Sequence, residues 1–232
     1  MRSRRPGTIT AGVPRLVCFA LDGTVMLRPN SLQFLLQLNH APVDVLVDID
    51  RREAAGQVDW VAADYERAPL LAGLPVDSIE ANLDAQLETI GNLQPVLCTL
   101  QAHGLITALV TSGPIEVAEA IARRFAFNHA VGSLFEVAGV AYTGRITRHL
   151  GSAGKVEELL RLSDAEGISL EECVAVGDGY SDHDLFERAG LAIGLNCPAE
   201  VAVLARHVVT GDDLSAILPL ILGAGQPPSR RP

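Results

Sequence analysis

Lysine is almost missing from this 232-residue chain: of 18 basic residues only Lys155 is a lysine, and the rest are arginine. Positive charge is short as well. The formal net charge is −10, and residues 13–222 hold 13 Arg or Lys against all 28 acids. Such a balance disfavours nucleic acid or an anionic membrane surface as a general partner, so small anionic ligands need a local positive device. Apolar runs approaching the ~18 residues of a membrane span are absent. The start, Met1 to Gly12, contains arginine but no apolar h-region, so we expect a protein that is not secreted. Cysteines in CxxC or metal spacing are also lacking. Cys18, Cys98, Cys173 and Cys197 are scattered in apolar contexts and read as reduced core residues of a cytoplasmic protein.

Three apolar runs each stop at a polar, glycine-containing turn. Leu16 to Leu21 precedes Asp22-Gly23-Thr24, Leu105 to Val110 precedes Thr111-Ser112-Gly113, and Cys173 to Val176 precedes Gly177-Asp178-Gly179. Continuous runs of this kind suit strands buried on both faces of a parallel sheet. A helical pattern from Ile115 to Phe125 follows Pro114, and Ser181 or Asp182 can cap a helix through Phe186 to Ala189. Strand, polar turn, helix is the unit of a doubly wound α/β sheet. Further strands are expected at Leu191 to Leu195 and His207 to Val209, and helices at Pro198 to Ala205 and Asp212 to Leu222. Phe135 to Ile146 alternates around glycines and reads as a β-hairpin rather than another crossover.

Residues 30–92 have another texture, with helix patterns at Ser31 to Leu38, Val43 to Ala54, Val58 to Ala68 and Ser78 to Ile90, and few strand signals. A stretch of this length exceeds an ordinary connection of ~2–6 residues. The expected architecture is therefore α/β, a doubly wound parallel sheet over 13–29 and 93–222 with a small helical cap inserted at 30–92. Residues 1–12 and 223–232 are expected to be disordered tails.

Ligands in open α/β sheets bind at the carboxyl ends of the strands, so Asp22, Thr111, Ser112, Asp178 and Asp182 should converge. Two carboxylates, Asp178 and Asp182, suit a hard cation such as Mg2+. The Thr111 hydroxyl and the amides of its glycine turn suit phosphate oxygens. Lys155, expected to start a helix over Val156 to Leu162, brings positive charge to the same rim. Taken singly, each has a plainer reading: Asp-Gly as a turn, Thr111 or Ser112 as a helix cap, Lys155 as a surface residue. Their order along one topology gives them joint weight.

In that order they resemble the haloacid dehalogenase superfamily, specifically its phosphoserine phosphatase-like branch, from Arg15 to Leu222. Phe19-Ala20-Leu21-Asp22-Gly23-Thr24 is similar to the family's Asp-x-Asp-x-Thr motif, Val110-Thr111-Ser112-Gly113 to its second motif, Lys155 to its third, and Gly177-Asp178-Gly179-Tyr180-Ser181-Asp182 to its fourth. The resemblance implies a Mg2+-dependent phosphomonoester hydrolase acting through an aspartyl-phosphate on a small phosphorylated metabolite. Asp22 would be the general acid/base and would lend its backbone carbonyl to the metal beside Asp178 and Asp182. Thr111, Ser112, Gly113 and Lys155 would hold the phosphoryl group.

Two departures qualify this. Position 20, where the family places the nucleophilic aspartate, is alanine, so little or no turnover is expected from this chain. Ala20 is either an introduced change or native, and in the native case the chain is a pseudophosphatase that binds a phosphorylated metabolite or protein partner. Second, Met26-Leu27-Arg28-Pro29-Asn30 lacks the glutamate with which phosphoserine phosphatases grip the substrate ammonium, which weakens the case for phosphoserine and leaves it open beside another small phosphomonoester. Gly56 to Arg67 resembles the family's cap, so Trp60 and Arg67 are expected to face the site, with Arg67 meeting a substrate carboxylate or phosphate bidentately. A receiver-like phospho-acceptor domain does not accommodate the insert and finds no acceptor at position 20.

Overall fold

The computed structural model describes residues 12–223. In chain order it runs through β1 (Leu16–Phe19), β2 (Met26–Arg28), α1 (Ser31–Leu38), α2 (Val43–Ala54), α3 (Trp60–Arg67), a 3-10 turn (Ala68–Leu71), α4 (Ser78–Gln86), β3 (Glu88–Thr89) and α5 (Leu93–Ala102). It continues with β4 (Ile106–Pro114), α6 (Ile115–Phe125), β5 (His129–Ala138), β6 (Ala141–Arg148), α7 (Gly151–Glu166), β7 (Cys173–Gly177) and a 3-10 turn (Tyr180–Asp182). Last come α8 (His183–Arg188), β8 (Leu191–Leu195), α9 (Ala199–Ala202), β9 (His207–Val209), a 3-10 turn (Leu214–Ile217) and α10 (Leu218–Leu222). The expected tails fall outside the described residues except for their inner ends; the Gly12 amide donates to the Glu171 carbonyl at 2.9 Å, which ties it to the fold.

Seven strands form one sheet in the order β6-β5-β4-β1-β7-β8-β9, parallel except for the β5–β6 pair. All residues of β1, β7 and β8 are buried. Successive side chains on a strand point to opposite faces. Val17 and Phe19 thus join one apolar cluster with α1, α4, α5 and α6, while Leu16 and Cys18 join the other with α7 and α8. Phe34 and Leu35 of α1, Leu71, and Ile79 and Leu83 of α4 lie in the first cluster, so much of the insert packs as an extension of the sheet's own core. By contrast, α2 buries only Ile49 and α3 only Ala63.

Local chemistry explains several boundaries. Asn30 caps α1 by accepting the Gln33 amide at 2.8 Å, and the Gln33 side chain accepts the Asn30 amide in return. Asp59 caps α3 through the Ala62 amide at 2.8 Å. Glu116 in the first turn of α6 and Arg123 and Arg124 in the last match the helix dipole.

Four expectations need correction. The stretch read as a hairpin alone is also a crossover strand: β5 starts at His129 and runs parallel to β4 before turning antiparallel to β6. The insert, read as helical, is closed at its base by the ribbon β2–β3, which pairs Met26 with Thr89 and Arg28 with Glu88. Lys155 does not start its helix; α7 begins at Gly151 and Lys155 lies one turn in. Of the cysteines expected in the core, Cys18 and Cys173 are buried, Cys197 is partly so and Cys98 is exposed; all four are free.

Candidate active site

A cleft of about 880 Å³ lies where the carboxyl ends of β1, β4 and β7 meet α2 and α3. Asp22, Thr111, Lys155 and Asp178 line its floor, and Trp60 and Arg67 line the facing wall. Ser112 and Gly113 also line it.

The floor is a set of buried polar groups, each held by a neighbour. Asp22 Oδ1 accepts the Ser31 amide at 2.5 Å and Oδ2 accepts the Ser31 hydroxyl at 2.7 Å, so the first residue of α1 holds the carboxylate. Burial pushes the Asp22 carboxyl above the usual range, opposed by the two Ser31 bonds and by Lys155. A carboxyl whose neutral form is favoured by burial suits a general acid. Lys155 Nζ donates to Asp182 Oδ1 at 2.8 Å and to Ser181 Oγ at 2.9 Å. Asp182 Oδ2 accepts the amides of Asp178 and Gly179 at 3.1 and 3.2 Å.

Asp178 differs from Asp182. Its Oδ1 accepts the Thr24 hydroxyl at 2.7 Å, and burial followed by the charges of Asp182 and Asp22 pushes its carboxyl up to about 6 against the opposing pull of Thr24 and Lys155. Gly23, at φ +77°, makes its approach to the β1 turn feasible, because a Cβ there would collide with the Asp178 carboxylate.

Three of the expected site residues already have partners. Both Asp182 oxygens accept hydrogen bonds, one from Lys155 and the other from main-chain amides, so Asp182 holds the lysine and the β7 turn in place. The Gly113 amide already donates to Thr111 Oγ1 at 2.9 Å, which removes it from the free donors expected for phosphate. Arg67 is enclosed by three carboxylates: Nη2 contacts Asp50 Oδ1 at 2.6 Å and Glu53 Oε2 at 2.5 Å, and Nη1 contacts Asp64 Oδ1 at 3.2 Å. It has no free edge for bidentate capture of a substrate anion. Among the residues lining the cleft, Asp22, Asp50, Glu53, Asp59, Asp64 and Asp178 face only Lys155 and Arg67 as cations.

Ala20 is buried at the end of β1, its amide donating to the Val176 carbonyl at 2.8 Å. Sequence reasoning missed Ser31 and Thr24 as partners of the two site carboxylates. Thr24 was visible in the first motif; Ser31 had no signal beyond its place beside the Asn30 cap.

A mostly parallel sheet with acids, a hydroxyl and a lysine gathered at its strand ends is an α/β scaffold with a polar cleft where such folds bind their ligands. The model of the haloacid dehalogenase-like hydrolase family matches residues 17–187, and the chain belongs to that family. It is similar to phosphoserine phosphatases from Streptomyces coelicolor, 26% identical over 208 residues, and Archaeoglobus fulgidus, 29% identical over 206. These matches cover 89% and 86% of this chain but 50% and 58% of the relatives, so the chain spans about half the length of these curated relatives. The fold matches a solved phospho-aspartyl intermediate analogue of phosphoserine phosphatase with a TM-score of 0.76 at 23% identity, covering 90% of this chain and 100% of that one.

Proposed function

We propose that this chain is a phosphomonoesterase scaffold that binds a small phosphorylated metabolite beneath a cap formed by residues 30–92, and that Ala20 leaves it with little or no turnover. The observation that carries the reading is the convergence of Asp22, Thr111, Lys155 and Asp178 on one cleft. Lys155, fixed by Asp182, and the Thr111 hydroxyl supply positive charge and a donor to the phosphoryl oxygens. Asp22 is placed to protonate the leaving alkoxide. Ala20 has no oxygen to attack phosphorus, so the aspartyl-phosphate route of the family is closed, and only direct attack by water remains.

The donor set fits Mg2+ with much of its own water retained: the Asp178 carboxylate beside Gly23 and the Asp22 main-chain carbonyl, with nothing from position 20. When bound, Mg2+ supplies charge that offsets repulsion between these acids and a phosphate dianion. The four free cysteines support assignment to a reducing compartment, the cytoplasm.

The acids of the cap wall and the engaged Arg67 favour a phosphomonoester whose organic part is neutral or cationic. Phosphoserine, the substrate in the names of the relatives, carries a carboxylate for which no free cation waits on that wall among the residues lining the cleft. A second reading, a binder without turnover, is favoured by the intact floor around a methyl group at position 20.

The test is Ala20→Asp, assayed for Mg2+-dependent release of nitrophenol from p-nitrophenyl phosphate. A rise of at least ~10³-fold over the parent supports the enzyme scaffold. A variant that stays inert across a phosphomonoester panel while the parent binds phosphate supports the binder. If neither protein binds inorganic phosphate in Mg2+, the cleft is not a phosphoryl site.

A further inference from the structure

We propose that His149 is a positioning residue: it latches α3 to the link between β6 and α7 and so keeps the insert's wall closed over the organic part of a bound phosphomonoester. The proposal rests on the reading of the cleft as a phosphomonoester site and adds to it a residue outside the cleft lining.

His149 lies in the two-residue link before Gly151, with its side chain 3% exposed. Its Nδ1 is 3.1 Å from the Gly151 amide, which can only donate, so Nδ1 accepts. In the neutral ring the proton is then on Nε2, which donates to Asp64 Oδ2 at 3.1 Å. The ring also packs against two aromatic side chains of α3: Trp60 at a centroid distance of 5.2 Å and Tyr65 at 5.9 Å. Asp64 carries the contact onward, since its other oxygen accepts from Arg67. The path Gly151–His149–Asp64–Arg67 joins the helix that carries Lys155 to the opposite wall of the cleft.

Helix α3 depends on such outside contacts because it buries only Ala63. Trp60, Asp64 and Arg67 fall at i, i+4 and i+7, which places them on one helical face, and all three line the cleft. The carboxyl end of α3 is held separately. It runs into the turn Ala68–Leu71 packed on β6, where a Cβ on Gly144 would come within 2.9 Å of Pro69 Cα. His149 is a second anchor that holds the length of the helix, from Trp60 at its amino end to Asp64 and Tyr65 in its second half. Without it, α3 keeps one fixed end and its ionic contacts to α2, and the wall is free to move away from the floor.

A ligand that touches only the floor should not sense this latch, whereas one that spans floor and wall should. Inorganic phosphate and p-nitrophenyl phosphate are such a pair. Their dissociation constants are measured by calorimetry in Mg2+ on the parent and on His149→Ala. Acrylamide quenching of Trp60, the single tryptophan of the chain, is read in parallel without ligand. His149→Ala should weaken p-nitrophenyl phosphate about fivefold or more, leave inorganic phosphate within about twofold, and make Trp60 easier to quench. His149→Gln, which keeps a donor near the Nε2 position, should recover much of the loss.

Equal weakening of both ligands, or unchanged quenching, overturns the proposal. If His149→Ala does not fold, Tyr65→Ala, outside the cleft lining, removes a ring contact of the latch from the α3 side and must show the same split between ligands and the same direction of change in quenching; failure to do so also overturns it. Should the parent bind neither ligand, the phosphomonoester reading falls, while the quenching comparison still decides whether His149 holds α3.

Discussion

Lys155 and Arg67 face the same cleft but are held by different surroundings. Lys155 and Asp182 form a single pair with side chains 3% and 2% exposed. Arg67 is shared among Asp50, Glu53 and Asp64 on α2 and α3, whose side chains are 56%, 31% and 19% exposed. Nearby, Arg52 reaches Asp48 at 3.0 Å and also pairs with Glu66. The floor therefore fixes charge by exclusion of water and by strands buried on both faces. The wall fixes it by several pairs around an arginine that is itself 13% exposed, with acids that solvent reaches to different degrees, on helices with little apolar anchoring. Screening weakens the second arrangement much more than the first. A rigid phosphoryl floor under an adjustable wall follows from that difference.

The comparison is most easily broken at Lys155. Lys155→Met leaves the Asp182 carboxylate buried without its cation, so urea unfolding should show a loss of about 3–5 kcal/mol. A loss below about 1 kcal/mol would place this pair on a par with surface ion pairs and erase the contrast. Arg67→Met should cost about 1 kcal/mol or less by the same measurement, with the deficit shrinking further in 1 M salt as the surrounding acids are screened. If Arg67→Met destabilises as much as Lys155→Met at high salt, the wall is not held by screened pairs.

The smallest effect concerns a half-buried acid away from the cleft. Glu116 of α6 accepts the Tyr142 hydroxyl at 3.0 Å, and burial pushes its carboxyl above the usual glutamate range. The folded protein thus holds this proton longer than the unfolded chain does. Its contribution to stability is complete below the ordinary glutamate range. It is lost as pH rises from there through the raised value, because the unfolded chain ionises first. Unfolding free energies measured across that window should fall for the parent and stay flatter for Glu116→Gln. Parallel profiles would mean that Glu116 ionises as freely in the folded protein as in the unfolded chain.

Much of the scaffold was legible because the strands are buried on both faces. Leu191 to Leu195 and His207 to Val209 could be read directly, as could Ser31 to Leu38 and Val43 to Ala54. The ribbon of β2 and β3 was not legible, since three residues and two residues are too short to show alternation. The parallel start of β5 was hidden because His129 and Ala130 do not look like a buried run. In the site, motif order brought Asp22, Thr111, Lys155 and Asp178 to one place, but the engagement of Arg67 could not be seen. Its partners Asp50 and Glu53 lie 17 and 14 residues away on another helix.

The amino-acid sequence by itself determined the alternation of strands and helices, the order of the chemical groups along them and the methyl group at position 20. These are properties of residue type and local periodicity, and they are present before the chain folds. Only the tertiary structure decided which charges remain available. It commits Asp182 to Lys155, leaves one oxygen of Asp178 without a hydrogen bond from the described residues, surrounds Arg67 with acids and sets His149 between α3 and the start of α7. The physical reason is that a charge or hydrogen-bonding group is defined by its nearest partners and by its access to water, and both depend on segments that meet only when the sheet and its insert pack together.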